Sequence, residues 1–225
     1  SLRTGKRGTA ESLPDKLAHA INQEEAVRRT TELVETLKTG NLRFVTGKYS
    51  RKDLTKQRQE LTKGQQPYAI VLTCSDSRVP PELLFDESLG RLFVIRVAGN
   101  VVDSVALGSI EYAAEHLHSK LLVVLGHTEC GAIKATASGG EVPPNIASII
   151  WRLRGSVERA RAEEPNAERL VNRAVSQNVA IQIEASEGQS GVIKELVEKG
   201  ELGIVGAVYD LSSGKVVFSL PSAGH

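Results

Sequence analysis

The chain has 225 residues, of which 40% are hydrophobic and 24% are charged, as in an ordinary globular protein. Its 28 basic and 27 acidic residues give a net charge of +1, so we expect neither nucleic acid nor a membrane as a partner. No apolar run approaches the roughly 18 residues of a membrane-spanning helix. The chain contains no Met, so its native start is not visible. We expect a cytoplasmic protein, with export to a periplasm or an organelle left open.

Helices are expected in the first third of the chain. Apolar residues recur with helical spacing over residues 24–38, and Gly40 is predicted to end this helix. A second, charged helix is predicted over 51–63. The sequence before the first helix lacks an apolar period and is interpreted as a partly flexible arm. The predicted division is an N-terminal arm over 1–23, a single domain over 24–220 and a C-terminal tail over 221–225.

Five short apolar runs follow, and each has the length of a strand. They cover residues 68–73, 92–97, 121–125, 203–208 and 215–218. Strands that are apolar on both faces are typical of a mostly parallel sheet buried between layers of helices. The helical stretches between them are 104–118, 145–162, 167–184 and 190–199. This alternation predicts an α/β fold, and the short last connection predicts an antiparallel hairpin.

Two polar segments stand directly after the first and third of these strands. They are Cys74-Ser-Asp-Ser-Arg78 and Gly126-His-Thr-Glu-Cys-Gly131. Ligands of open α/β sheets bind beyond the carboxyl ends of the strands, so we expect the two segments to lie side by side. Cys74, His127 and Cys130 would then offer two thiolates and one imidazole. This donor set suits Zn²⁺ and leaves a fourth position open for water.

A charged pair, Asp76 and Arg78, follows the first cysteine. Charges at the end of a buried strand are costly unless they are paired or used. Asp76, held by Arg78, fits the role of the acceptor that orients metal-bound water. Asp76 is also the one plausible fourth protein ligand, which would close the site. Gly131 is predicted to open a helix whose backbone N–H groups favour the thiolate of Cys130.

Other interpretations of the two cysteines remain open at this point. They could be core residues, a redox pair or ligands of a structural zinc. A structural site needs neither Asp76 nor Arg78, and the presence of both favours a catalytic site.

The two segments together resemble the β-class carbonic anhydrases. The resemblance covers roughly residues 30 to 210. It includes four further segments: Gly40-Asn-x-Arg-Phe-Val-x-Gly47, Arg96-Val-Ala-Gly-Asn100, Ser109-Ile-Glu-Tyr112 and Val205-Gly-Ala-Val-Tyr-Asp210. It implies hydration of CO₂ to bicarbonate, with one Zn²⁺ per chain held by Cys74, His127 and Cys130. Asp76 and Arg78 fall on the family's catalytic pair.

The resemblance also implies an architecture and an assembly. A central parallel sheet in the order 2-1-3-4, with a fifth strand at its edge, is expected. An N-terminal helical arm would lie across a partner subunit, in a homodimer or a homotetramer.

A substrate pocket for CO₂ and bicarbonate is implied as well. Gln65 falls where the plant-like, open-site subtype has a pocket glutamine, which indicates that subtype. Phe93, Ala98, Tyr112 and Gly131 fall on the remaining substrate-binding positions, and Tyr112 is expected to reach the site of a neighbouring subunit. Phe93 would pack in the core in any case. A related protein that hydrolyses CS₂ or COS would keep the same site, and this alternative stays open.

Overall fold

The computed structural model describes residues 12–219, so the first eleven residues and the predicted tail over 221–225 lie outside it. The helices are α1 (Leu13–Thr46), α2 (Leu54–Glu60), α3 (Pro81–Leu84), α4 (Ser104–Glu115), α5 (Gly131–Ser138), α6 (Pro144–Glu163), α7 (Ala167–Gln189) and α8 (Gly191–Glu198). The strands are β1 (Ala69–Thr73), β2 (Leu92–Arg96), β3 (Leu121–His127), β4 (Gly203–Tyr209) and β5 (Val216–Ser219). Single 3-10 turns cover Leu61–Lys63 and Ala98–Asn100.

The five strands form one sheet in the order β2-β1-β3-β4-β5. Strands β2, β1, β3 and β4 are parallel, and β5 pairs with β4 in the antiparallel sense. The predicted α/β fold, strand order and terminal hairpin are therefore confirmed. Because Thr73 of β1 pairs with Leu125 of β3, the residues that follow these two strands emerge at the same edge.

Apolar side chains cover both faces of the sheet. On one face, Val71 and Val123 pack with Val34 and Leu37 of α1 and with Phe85. On the other, the alternate strand residues Ile70, Leu72, Leu122 and Val124 pack with Ile110 of α4 and Ile193 of α8. Every residue of β1 and β3 is buried, which explains why their sequences are continuous apolar runs. The sheet thus provides a rigid base for the loops at its carboxyl edge.

Helix α1 differs from its predicted bounds at both ends. It begins at Leu13 and continues through Gly40 to Thr46, so the prediction that Gly40 ends the helix was wrong. A Cβ atom at residue 40 would stand 1.8 Å from the carbonyl oxygen of Phe85. This glycine permits a close approach between α1 and the end of α3, and it does not terminate the helix. Among residues 12–219, no helix is long and apolar enough to cross a lipid bilayer.

Candidate active site

Three side chains that can bind a metal meet at the carboxyl edge of the sheet. Cys74 follows β1, His127 is the last residue of β3, and Cys130 precedes α5. One potential ligand atom from each lies within 4.8 Å of those of the other two. The three residues are only 5%, 1% and 2% exposed, respectively. The group that sequence analysis assembled from two distant segments is therefore brought together, and it could hold a metal ion.

The imidazole of His127 has one nitrogen engaged and one free. Its Nδ1 lies 2.9 Å from the carbonyl oxygen of Thr128. Because a carbonyl oxygen can only accept, Nδ1 carries the hydrogen and donates a hydrogen bond to that oxygen. The Nε2 atom is buried, and no described residue forms a hydrogen bond with it. A buried acceptor without a partner costs free energy. A cation bound at the lone pair of Nε2 would remove that cost, so this observation fits a metal site.

The two thiols are close enough to affect each other's ionisation. A hydrogen bond with Cys130 lowers the pKa of Cys74, against the opposing effect of burial. The same hydrogen bond, together with burial, raises the pKa of Cys130. The backbone N–H of Gly99 also donates to Cys74 Sγ, at 3.3 Å. One thiolate is thus stabilised by the protein, and the second requires a positive charge beside it.

Asp76 lies beside this group and is held by Arg78. The guanidinium donates through Nε to Oδ1 at 2.9 Å and through Nη2 to Oδ2 at 2.7 Å, and the backbone N–H of Arg78 adds a third bond to Oδ1 at 3.0 Å. These contacts hold the pKa of Asp76 well below its usual range. Asp76 Oδ2 is 3.9 Å from His127 Nε2, which is too far for a hydrogen bond. Asp76 is therefore an anion at the edge of the metal-binding group.

Tight backbone turns bring the remaining nearby residues into place. Gly99 has φ of +70° and Asn100 has φ of +45°, so the turn Ala98–Asn100 contains two consecutive left-handed residues. This tight turn places Ala98 next to Gly99, whose backbone N–H donates to the Cys74 sulfur. Gly131 is the first residue of α5, as predicted, and Cys130 is the N-cap.

The other predicted pocket residues do not join the group within one chain. Gln65 lies beside Leu89 and Gly90, which precede β2, and so stands at the amino edge of the sheet. Phe93 pairs with Ile70, and Cys74 lies four residues further along the strand direction, or about 13 Å away at 3.3 Å per residue. Tyr112 is 49% exposed and its ring lies 6.2 Å from that of Phe93.

Helix α7 carries buried polar residues that sequence analysis did not identify. Asn178, Gln182 and Ser186 are spaced four residues apart on a helix, and all three are buried. Their spacing was a visible signal, because it places three polar side chains on one face of an amphipathic helix.

Sequence analysis also did not identify Arg96 as a residue that supports the loop after β1. Its guanidinium donates to the backbone oxygens of Cys74 and Asp76, at 3.2 and 2.6 Å.

Comparison with known proteins agrees with this fold and this group of residues. The carbonic anhydrase family model matches residues 69–216. A carbonic anhydrase of Mycolicibacterium smegmatis is 41% identical over 187 residues, which cover 81% of this chain and 89% of that protein. Among solved structures, the β-carbonic anhydrase CafA of Aspergillus fumigatus has a TM-score of 0.69 at 26% identity, over 93% of this chain and 92% of that one. One of two tetrameric β-carbonic anhydrases of Sordaria macrospora has a TM-score of 0.66 at 27% identity, over 72% of this chain and 84% of that one.

The sheet and the buried Cys-His-Cys group at its carboxyl edge define the general class: an α/β protein with a candidate metal centre. The family match covers more than half of the chain, and the chain belongs to the carbonic anhydrase family. Its fold is that of the β class.

Proposed function

We propose that this protein catalyses the reversible hydration of CO₂ to bicarbonate and a proton, with one zinc ion held by Cys74, His127 and Cys130. The observation that carries the proposal is the buried Cys-His-Cys group with an unpartnered Nε2 atom, beside a carboxylate fixed by arginine. Two thiolates and an imidazole are typical ligands of zinc. Held by these three residues, zinc would act as a Lewis acid that lowers the pKa of a bound water to about 7.

Asp76 positions the reacting water in this proposal. Its low pKa keeps it ionised at neutral pH, so it accepts a hydrogen bond without taking the proton. Arg78 holds both carboxylate oxygens and prevents rotation of the side chain. The lone pair of the water oxygen is then directed toward CO₂. With Asp76 engaged by Arg78 and away from His127, the arrangement favours the plant-like, open-site subtype.

The substrate pocket requires a second copy of the chain. Gln65, Phe93 and Tyr112 lie far from Cys74 in their own chain, yet they are proposed to contact CO₂ together with Ala98 and Gly131. The edge strand β2 and the exposed apolar side chains Val105 and Tyr112 of the neighbouring α4 form a surface that a partner could cover. We therefore propose a homodimer, or a homotetramer as in the Sordaria proteins, whose partner completes each site. The amide of Gln65 would donate to the CO₂ oxygen as it becomes negative.

The direct test is stopped-flow CO₂ hydration on the purified protein, with zinc quantified in the same sample. Fast hydration with one zinc per chain, lost on chelation and restored by added zinc, is the expected result. A zinc-loaded protein that is silent at pH 7 and also near pH 8.5, about one unit or more above the pKa of zinc-bound water, would refute the activity. The same sample would then be assayed with CS₂ and COS.

Replacement of Asp76 by Asn tests the proposed role of the carboxylate. The neutral amide keeps the shape of the side chain but presents an N–H group and weakens the pairing with Arg78. We expect zinc to remain bound and the hydration rate to fall about 100-fold or more, as is usual when a proton-directing group is removed. The matched control is Asp53→Asn at the exposed N-cap of α2, which should leave the rate unchanged. Full activity in the zinc-loaded Asp76→Asn protein would exclude this role.

A further inference from the structure

Two buried amides on helix α7 form a chain of hydrogen bonds that has one orientation. Asn178 is 0% and Gln182 is 3% exposed, and they stand one helical turn apart. The backbone N–H of Val102 donates to Gln182 Oε1 at 2.8 Å. A backbone N–H can only donate, so the acceptor end of the Gln182 amide must face Val102. Its Nε2 then donates to Asn178 Oδ1 at 2.9 Å, which leaves Asn178 Nδ2 to donate to the carbonyl oxygen of Gly99 at 2.8 Å.

The turn that these amides hold makes direct contact with a metal-binding sulfur. Gly99 offers its carbonyl oxygen to Asn178 and its N–H to Cys74 Sγ. Gly99 and Asn100 both have left-handed backbone conformations, which are strained for Asn and need support from their surroundings. A Cβ atom at residue 99 would also stand 2.8 Å from Leu153 Cδ1. The position of the Gly99 N–H relative to the Cys74 sulfur therefore depends on the side chain of Asn178, which binds the carbonyl oxygen of the same residue.

Helix α7 supports the second metal-binding segment as well. Gly126 precedes His127 and fits between Val175 and Val179, because a Cβ atom there would stand 2.9 Å from a methyl group of each. Asn172 Oδ1 accepts a hydrogen bond from the backbone N–H of Glu129 at 3.2 Å. One face of a single helix thus contacts the backbone beside all three ligands.

We propose that Asn178 and Gln182 are positioning residues of the metal centre, which hold the 98–100 turn so that the Gly99 N–H stays on the Cys74 thiolate. This inference rests on the proposed metal site. The hydrogen bond from the Gly99 N–H withdraws charge from the Cys74 sulfur, and it fixes the sulfur in the geometry that the metal requires. Loss of the amide chain would let the turn relax, so that the sulfur becomes both richer in charge and less well placed.

The test compares Asn178→Leu and Gln182→Met with a control on the same face of α7. Leu has the same branching pattern as Asn, although it is larger, and Met has a similar length to Gln; both replacements remove the amide. Ser186→Ala is the control, because the buried Ser186 hydroxyl donates to the carbonyl oxygen of Gln182 and does not contact the turn. Zinc affinity is measured by competition with a chelator. The absorption band for charge transfer from sulfur to metal is measured in cobalt(II)-substituted protein.

We expect Asn178→Leu and Gln182→Met to weaken zinc binding about 10- to 100-fold, as is usual for groups that support metal ligands. Their charge-transfer band should move to lower energy, and Ser186→Ala should change neither quantity, although all three lower the urea midpoint. A purely structural role would give the same result in all three variants and would overturn the inference. If Asn178→Leu does not fold, an unchanged Gln182→Met overturns it alone.

The two proposals fail in different ways. Wild-type protein that binds neither zinc nor cobalt refutes the metal centre and this inference together. Wild-type protein that binds both metals, with variants that bind equally well and show the same band, refutes only the role of the two amides.

Discussion

Gly126 shows how one missing side chain determines the geometry beside a ligand. Strand β3 and helix α7 approach each other so closely at this residue that only a hydrogen atom fits between Val175 and Val179. Its neighbour His127 reaches the metal-binding group directly from that point of closest contact. An added methyl group would separate α7 from β3 or displace the end of β3, and either movement shifts the imidazole.

Replacement of Gly126 by Ala should therefore destabilise the fold by about 1–3 kcal/mol, the usual range for an overpacked core. Zinc affinity should fall as well, because the displaced backbone carries His127. Urea unfolding and chelator competition measure the two effects. Gly155→Ala is the control: Gly155 lies inside α6 with its nearest contact at 3.8 Å, and Ala there should stabilise the helix by about 0.5–1 kcal/mol. A Gly126→Ala protein as stable as wild type would show that α7 can shift without cost.

The residues that could be found from sequence are those whose signal is local. Cys74, His127 and Cys130 follow apolar runs of strand length, and the rules for parallel sheets place such residues at one edge. Asn178 and Gln182 could be assigned to one face of a helix, but not to a partner. Their partners are the backbone groups of Gly99 and Val102, about eighty residues earlier in the chain, and only the packed structure defines those contacts.

At the scale of the element, Asp86 joins helix α1 to the segment that follows α3. Its fully buried carboxylate accepts hydrogen bonds from Arg43 Nε at 2.5 Å, from Ser50 N at 2.9 Å and from Ser50 Oγ at 2.7 Å, and it also binds Lys52. Burial alone would raise the pKa of Asp86. The hydrogen bonds from Lys52, Arg43 and Ser50 outweigh burial and hold the pKa well below its usual range.

Asp86→Asn should lower the free energy of unfolding by about 3 kcal/mol at pH 7, because two cations lose a buried partner. An unfolded Asp has a pKa of about 3.9, and the folded value lies below it. The contribution of Asp86 is thus complete above about pH 5, where the unfolded Asp is also ionised, and it is lost progressively as the pH falls from there through the folded pKa. In urea unfolding from pH 7 to pH 3, the stability difference between wild type and variant should begin to narrow below about pH 5, because the unfolded Asp then takes up a proton. A stability gap that is constant over this range would contradict the assignment, and Asp53→Asn should show no gap.

The element bounds show where sequence reasoning reaches its limit. Strand positions follow from burial on both faces, and these predictions agree with the structure within two residues. The end of α1 was misplaced because Gly40 was assigned by its low helix propensity alone. In the structure, the contact between Gly40 and Phe85 outweighs that propensity, and Asn41 extends the contact by hydrogen bonds to Leu84 and Gly214.

At the scale of the whole molecule, the proposed dimer divides each active site between two chains. Asp76 would act in the site of its own chain and Gln65 in the site of its partner. Asp76→Asn and Gln65→Ala homodimers should both be impaired, the second by about 100-fold if the amide is an oxyanion donor. A mixed dimer contains one site with both defects and one intact site.

Subunit exchange between the two variants should therefore restore activity. Random pairing gives about a quarter of the wild-type activity, since one site of every mixed dimer is intact. Exchange between Asp76→Asn and Arg78→Ala serves as the control, because both residues belong to the same half-site and no intact site can form. The contrary result is that the activity of each mixture equals the summed activities of its two variants measured separately. Gln65 would then act in the site of its own chain or lie outside the site.

The pairing of β1 with β3 has a consequence for how the protein matures. Cys74 follows directly after β1 and His127 is the last residue of β3, and β2 and α4 lie between them in the chain. Parallel pairing across such a separation is a slow, long-range step of folding. Zinc should therefore enter a site that folding has already built, in contrast to small domains in which the metal drives folding. Until that step, both thiols are unprotected. The yield of active protein during synthesis should then depend on a reducing environment, even where the finished enzyme tolerates oxidants.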